Sequence, residues 1–116
     1  MKKFVAIFLG SAEAMAKWRA ADDAQKKAKE KAGIEGWKKW AEDNKASIVE
    51  MGSPLGKTKR INTQGISDTR NEIGAYTVVQ AESHEAAAKL FLNHPHFMIF
   101  PGDSVELMEC LPLPDM

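Results

Sequence analysis

Gly74-Ala-Tyr-Thr-Val-Val-Gln-Ala81 runs into Glu82-Ser-His-Glu85, then the alanine-rich Ala86-Ala-Ala-Lys-Leu90, then His94-Pro-His96, and closes on Ser104-Val-Glu-Leu-Met-Glu-Cys-Leu111. The stretch reads as a strand, a capped helix and a returning strand. Ser83 is a suitable N-cap, because its hydroxyl accepts from one of the first unpaired amides, and Glu85 places negative charge at the positive end of the helix dipole. A strand that returns through one helix points to an α+β fold. It names no reaction.

Working outward, 116 residues with 44% hydrophobic content suffice for one core and one domain, residues 1–116, with no room for a separate catalytic domain. Sixteen basic residues balance sixteen acidic ones. That neutrality lacks the footprint of a general nucleic-acid binder, although Lys26 to Lys31 and the group Lys57, Lys59, Arg60 are locally basic, so nucleic acid is not an expected partner. The single cysteine, Cys110, excludes an internal disulfide, suits a reducing cytoplasm, and with no basic neighbour is expected to be buried and inert. No run approaches the roughly 20 apolar residues that span a membrane.

The N-terminus, Met1-Lys2-Lys3 followed by Phe4 to Leu9, mimics a short secretory signal, but its apolar run is at the lower limit of length. Lys3 to Leu9 is read instead as a core strand. Phe4, Ala6 and Phe8 then face one side and Val5, Ile7 and Leu9 the other, so both faces are apolar. One helical layer covers one face. The economical cover for the second is another copy of the same sheet, which makes a homodimer the expectation from patterning alone.

Residues 11 to 46 read as helical, with Ala12 to Ala32 a solvated or mobile arm, or a cover over a pocket, and a break expected at Gly33 and Gly36. Ile34, Trp37, Trp40 and Ala41 recur at spacings of three and four, one stripe of a helix that docks on the sheet. Ser47 to Met51 reads as a short strand, and Gly52-Ser-Pro-Leu-Gly56 is dense in turn formers. Lys57 to Ile66 is read as an edge strand, Asp68 to Gly74 as a polar turn.

The resulting order is ferredoxin-like with one addition. The segments Ile48 to Leu55, Ile73 to Ala88, His94-Pro95 and Val105 to Pro112 resemble the YCII-related proteins, including their DGPF-type relatives, over about two thirds of the chain. The resemblance implies a dimeric α+β barrel with a cavity near the subunit contact. It also implies, for some members, a histidine on the first helix working with an aspartate just before the proline that follows the second helix. Here the residue before Pro95 is His94 and no histidine precedes His84, so that pair does not carry over. The DGPF motif is likewise absent, its turn reading Ser67-Asp-Thr-Arg-Asn-Glu72.

The chemistry that remains centres on His94 and His96. Counted from Leu90, His94 falls on the helix face of Ala86, Ala87 and Leu90, where its ring faces a cavity and serves as a general acid or base. The plainer reading makes it a helix C-terminal residue whose cation complements the dipole. A metal reading joins His94 and His96 with His84 or Asp103; Pro95 and the lack of a third-ligand motif count against it, and no metal or cofactor is expected. Asp103 reads as a turn residue bonding its own backbone. Trp37 and Trp40 form an aromatic wall or ordinary core, Arg60 or Arg70 pairs with a carboxylate or stays on the surface, and Tyr76 offers a hydroxyl or packs. The function expected is binding of a small planar or aromatic molecule near the dimer contact. The alternatives are a lyase- or isomerase-like enzyme using His94 and a non-catalytic interaction module.

Overall fold

The structure is a computed structural model that describes residues 1–92, 94–98 and 102–114. Six strands and four helices follow in the order β1 (Lys2–Leu9), α1 (Ala12–Ala20), α2 (Asp23–Asp43), β2 (Ile48–Pro54), β3 (Thr58–Asn62), β4 (Gly65–Thr69), β5 (Ile73–Ala81), α3 (His84–Lys89), α4 (Pro95–Met98) and β6 (Ser104–Glu109). Strands β2-β5-β1-β6 form one antiparallel sheet in that order, the ferredoxin-like arrangement expected. Strands β3 and β4 form a separate two-stranded ribbon.

The two faces of β1 separate as its alternation requires. Phe4, Ala6 and Phe8 are buried beside Val79 and Thr77 under the helices, with Trp40, Ala87 and Phe91 completing the core. Val5 and Ile7 lie on the opposite face, paired with Val78 and Tyr76 on one side and Met108 and Glu106 on the other. That face is less covered among the described residues: Val5, Ile7 and Val78 are half-buried and Met108 is exposed.

Ser83 caps α3, accepting from the Ala86 amide at 3.1 Å, as expected. The helical break is misplaced by the sequence reading. Helix α2 runs through Gly33 and Gly36, and the chain turns at Ala21 and Asp22, where Asp22 accepts from the Gln25 amide at 2.8 Å and starts a new helix. Gly33 is buried inside α2 and serves packing, not termination. The expected edge strand at Lys57 to Ile66 and turn from Asp68 are also corrected: Thr63 and Gln64 form a turn, and Gly65, at φ 121°, sends the chain back as β4. Cys110 is exposed, not buried, just beyond the end of β6.

At φ 75°, Gly52 sits where β2 shifts register against β5, and a Cβ there would overlap the Tyr76 carbonyl. The bulge re-aims β2 at the rim of the cavity described below. The chain is broad and thin, 52 × 44 × 18 Å, with a radius of gyration of 16.1 Å; a compact domain of this length has about 13 Å. Its surface, 8514 Å², exceeds the roughly 6,300 Å² of a compact monomer of this mass by about 2,200 Å². Among the described residues no helix is long and apolar enough to cross a membrane.

Candidate functional site

A cavity of about 810 Å³ opens between α2 and the end of the sheet where β1, β2 and β5 meet. Trp37, Ile34, Lys38 and Ala41 form its helical wall, one stripe of α2, as the three- and four-residue spacing requires. Trp18 of α1 and Glu30 extend that wall, so the alanine- and lysine-rich segment covers the cavity with at least part of its length. Phe8 and Gly10 close one end, the bulged strand from Met51 to Leu55 another, and Asn71 to Tyr76 the side. The volume suits a small organic molecule, and the walls are mostly apolar with a few polar groups, as such sites are.

His96 lies on the cavity wall, pinned by two carbonyls: its Nε2 is 2.9 Å from the Leu9 oxygen and 3.1 Å from that of Ser104. Carbonyls only accept, so Nε2 carries the proton. Burial lowers the pKa of His96, against an upward pull from those carbonyls and Asp103, and the ring is neutral at pH 7. Its ring packs edge-on against Phe8, with centroids 5.1 Å apart, and Gly102 lies so close that any Cβ there would overlap it. Asp103 does not bond its own side chain to its own backbone as expected. It accepts from the Ser11 amide at 2.7 Å, tying the start of α1 to the start of β6, and hydrogen bonds from Ser11 hold its carboxyl below the usual range.

His94 lies behind this wall. Helix α3 ends at Lys89, so His94 does not continue its face, and the ring is fully buried. It is boxed by Trp37 at 4.5 Å, Trp40 at 4.6 Å, Phe8 at 5.0 Å and Phe91 at 5.9 Å between centroids. Nδ1 accepts from the His96 amide at 3.0 Å, which leaves the proton on Nε2, and Nε2 has no hydrogen-bond partner among the described residues. That N–H is enclosed by aromatic rings, whose faces are weak acceptors. Burial, then the proximity of His96, lowers the pKa to about 3. The dipole reading, which needs a cation, is therefore corrected: His94 is neutral.

Of the other expected residues, Trp37 and Trp40 meet at 6.5 Å, but only Trp37 reaches the cavity; Trp40 is buried and donates from Nε1 to the Leu90 carbonyl at 2.8 Å. Tyr76 borders the cavity while its hydroxyl goes to Glu50 at 2.6 Å. Arg60 stands away from this site, on the ribbon, 3.5 Å from the Thr69 hydroxyl. His84 stacks on Phe4 at the opposite end of β1 from Phe8. Among the described residues no three His, Cys, Asp or Glu side chains converge as a metal site. The sequence reading missed Trp18 and Ile73, both on the cavity wall. Trp18 carried a signal, a large aromatic in an otherwise alanine- and lysine-rich helix.

Sheet order, helical layer and cavity define an α+β, ferredoxin-like protein with a pocket at the end of its sheet. No family model matches the sequence, and no curated protein matches it. The fold is similar to that of 5-chloro-2-hydroxyhydroquinone dehydrochlorinase (TftG) from Burkholderia phenoliruptrix AC1100, solved in complex with 2,5-dihydroxybenzoquinone. The two share 14% identity over 91% of this chain and 90% of that one, with a TM-score of 0.53. At that identity the likeness establishes the fold alone.

Proposed function

We propose that this chain is a YCII-like homodimer that binds a small planar, largely apolar molecule in the cavity between α2 and the sheet. The observation that carries the reading is the cavity itself, about 810 Å³ with Trp37 and Trp18 on one side and Phe8 and the neutral His96 at its end. Aromatic walls favour a flat ring, and a neutral imidazole adds a polar contact without a charge to desolvate. That Trp37 lines this space counts against a non-catalytic module with a packed interior. The dimer is supported by the uncovered sheet face and by the excess surface of the single chain. The fold relative, a dehydrochlorinase solved with a quinone, supports a small-molecule role by analogy.

A native mass spectrum of the purified protein tests both parts. A dimer with retained mass, lost in Trp37→Ala, is the expected result; a bare monomer at all concentrations refutes the proposal. Enzymatic proton transfer is the second reading, and the cavity favours His96 over His94 as the group that meets a ligand, with His94 placed to hold the His96 backbone. Turnover of the retained molecule that disappears in His96→Gln while binding persists would select it.

A further inference from the structure

The β3–β4 ribbon belongs to no layer of the fold. Its five pairs, from Thr58 opposite Thr69 to Asn62 opposite Gly65, form a ladder of their own. The turn is locally specified, with the Asn62 side chain accepting from the Gln64 amide at 2.9 Å and Gly65 at positive φ. Strand alternation gives the ribbon two unlike faces. One carries Thr58, Arg60, Ser67 and Thr69; the other carries the Lys59–Asp68 ion pair at 2.7 Å and a direct Ile61–Ile66 pair. Those isoleucines are 73% and 72% exposed. An isolated two-stranded ribbon is marginal in water, and an uncovered pair of β-branched side chains makes it an invitation to association.

We propose that this ribbon is a clasp, with the Ile61–Ile66 pair of each protomer seated on a second copy of the chain. The inference rests on the homodimer reading and adds a contact to it that the sheet face does not supply. Surface area points to a second copy: the excess of about 2,200 Å² per chain matches an obligate homodimer, whose interface removes some 2,000–5,000 Å² in total. Symmetry agrees as well, because a two-fold contact made once by each ribbon covers the unpartnered pair on both copies. Leu55 and Asn71, which flank the ribbon, line the cavity, so the clasp holds the cavity rim against the partner.

The test is sedimentation equilibrium of the full chain as wild type, as Ile61→Lys with Ile66→Lys, and as Ile61→Thr with Ile66→Thr, the last pair retaining strand propensity. The lysine variant is expected to weaken the dimer at least about a hundredfold, and the threonine variant in the same direction by less. The main sheet, which shares no ladder with the ribbon, keeps its far-ultraviolet spectrum in both. If the lysine variant fails to fold, the threonine variant decides. A wild-type dimer whose dissociation constant moves less than about twofold in the threonine variant overturns the clasp and leaves the dimer standing. A wild-type chain that is monomeric throughout overturns both.

Discussion

The two faces of the central sheet are built from the same strand and end in opposite conditions. On one, Phe4, Ala6, Phe8 and Val79 are 0–1% exposed beneath α2 and α3; on the other, Val5, Ile7 and Val78 are half-buried and Met108 stands 45% exposed. Helices account for the first face. The second carries Val5, Ile7, Val78 and Met108 among Tyr76, Glu50 and Glu106 with less cover than the first, and the contrast teaches that the same alternation yields a finished core only where a second layer lies over it.

Adjacent substitutions on β1 break the comparison most sharply. Phe8 packs against Trp37, Phe91, His94 and His96, and Phe8→Ala is expected to cost about 3–5 kcal/mol in urea unfolding. One residue away, Ile7→Lys is expected to leave the helix-covered core packed while weakening the dimer at least about a hundredfold, read by sedimentation. Equal effects of both variants on unfolding at fixed low concentration, with no effect of Ile7→Lys on association, would mean that the second face stays in water.

Proton linkage sharpens the covered side. His94 is held down to about 3 and His96 is also lowered, whereas an unfolded histidine titrates near its usual 6.5. Between about 3 and 6.5 the unfolded chain binds a proton at His94 that the folded chain does not, and the lowering at His96 acts in the same direction, so this contribution to stability is fully present above about pH 6.5 and is lost as pH falls toward 3. Each such histidine contributes up to about 1.4 kcal/mol per pH unit. The urea midpoint should therefore fall steeply from pH 6.5 to 4.5, and His94→Phe should flatten that fall relative to wild type. Identical slopes would place the His94 ring in contact with water.

Much of this contrast is legible in the amino-acid sequence. The alternation of β1, the Ser83 cap and the α2 stripe are local signals, and each survives because the tertiary structure agrees with it. The two glycines of α2 misled because a glycine inside a helix signals either an end or a close approach, and only packing decides. The ribbon reads as a single edge strand for the opposite reason: Asn62-Thr-Gln-Gly65 is a turn signal, but the strands on either side are almost wholly exposed and carry one isoleucine each, too little apolar pattern to mark two strands. Nor does spacing reveal which histidine meets the cavity. His94 and His96 are two residues apart, and with the His96 amide donating to the His94 ring, one ring lies in the aromatic box and the other at the wall.

The smallest expected effect sits on the open face and reports on its cover. Tyr76 is the one tyrosine of the chain, so absorbance titration reads its phenol alone. Its hydroxyl donates to Glu50 at 2.6 Å, and that bond, with the carboxylate's charge, raises the phenol above its usual 10. Glu50→Gln removes the charge and should return the midpoint toward 10 with little change in the unfolding midpoint. Both residues lie on the face that carries Val5 and Ile7. If a second copy covers that face, desolvation adds to the effect of Glu50, and the wild-type midpoint should fall on dilution through the dimer dissociation constant. A midpoint independent of concentration, in a chain shown to be dimeric, would move the subunit contact off this end of the sheet and leave the ribbon as its main element.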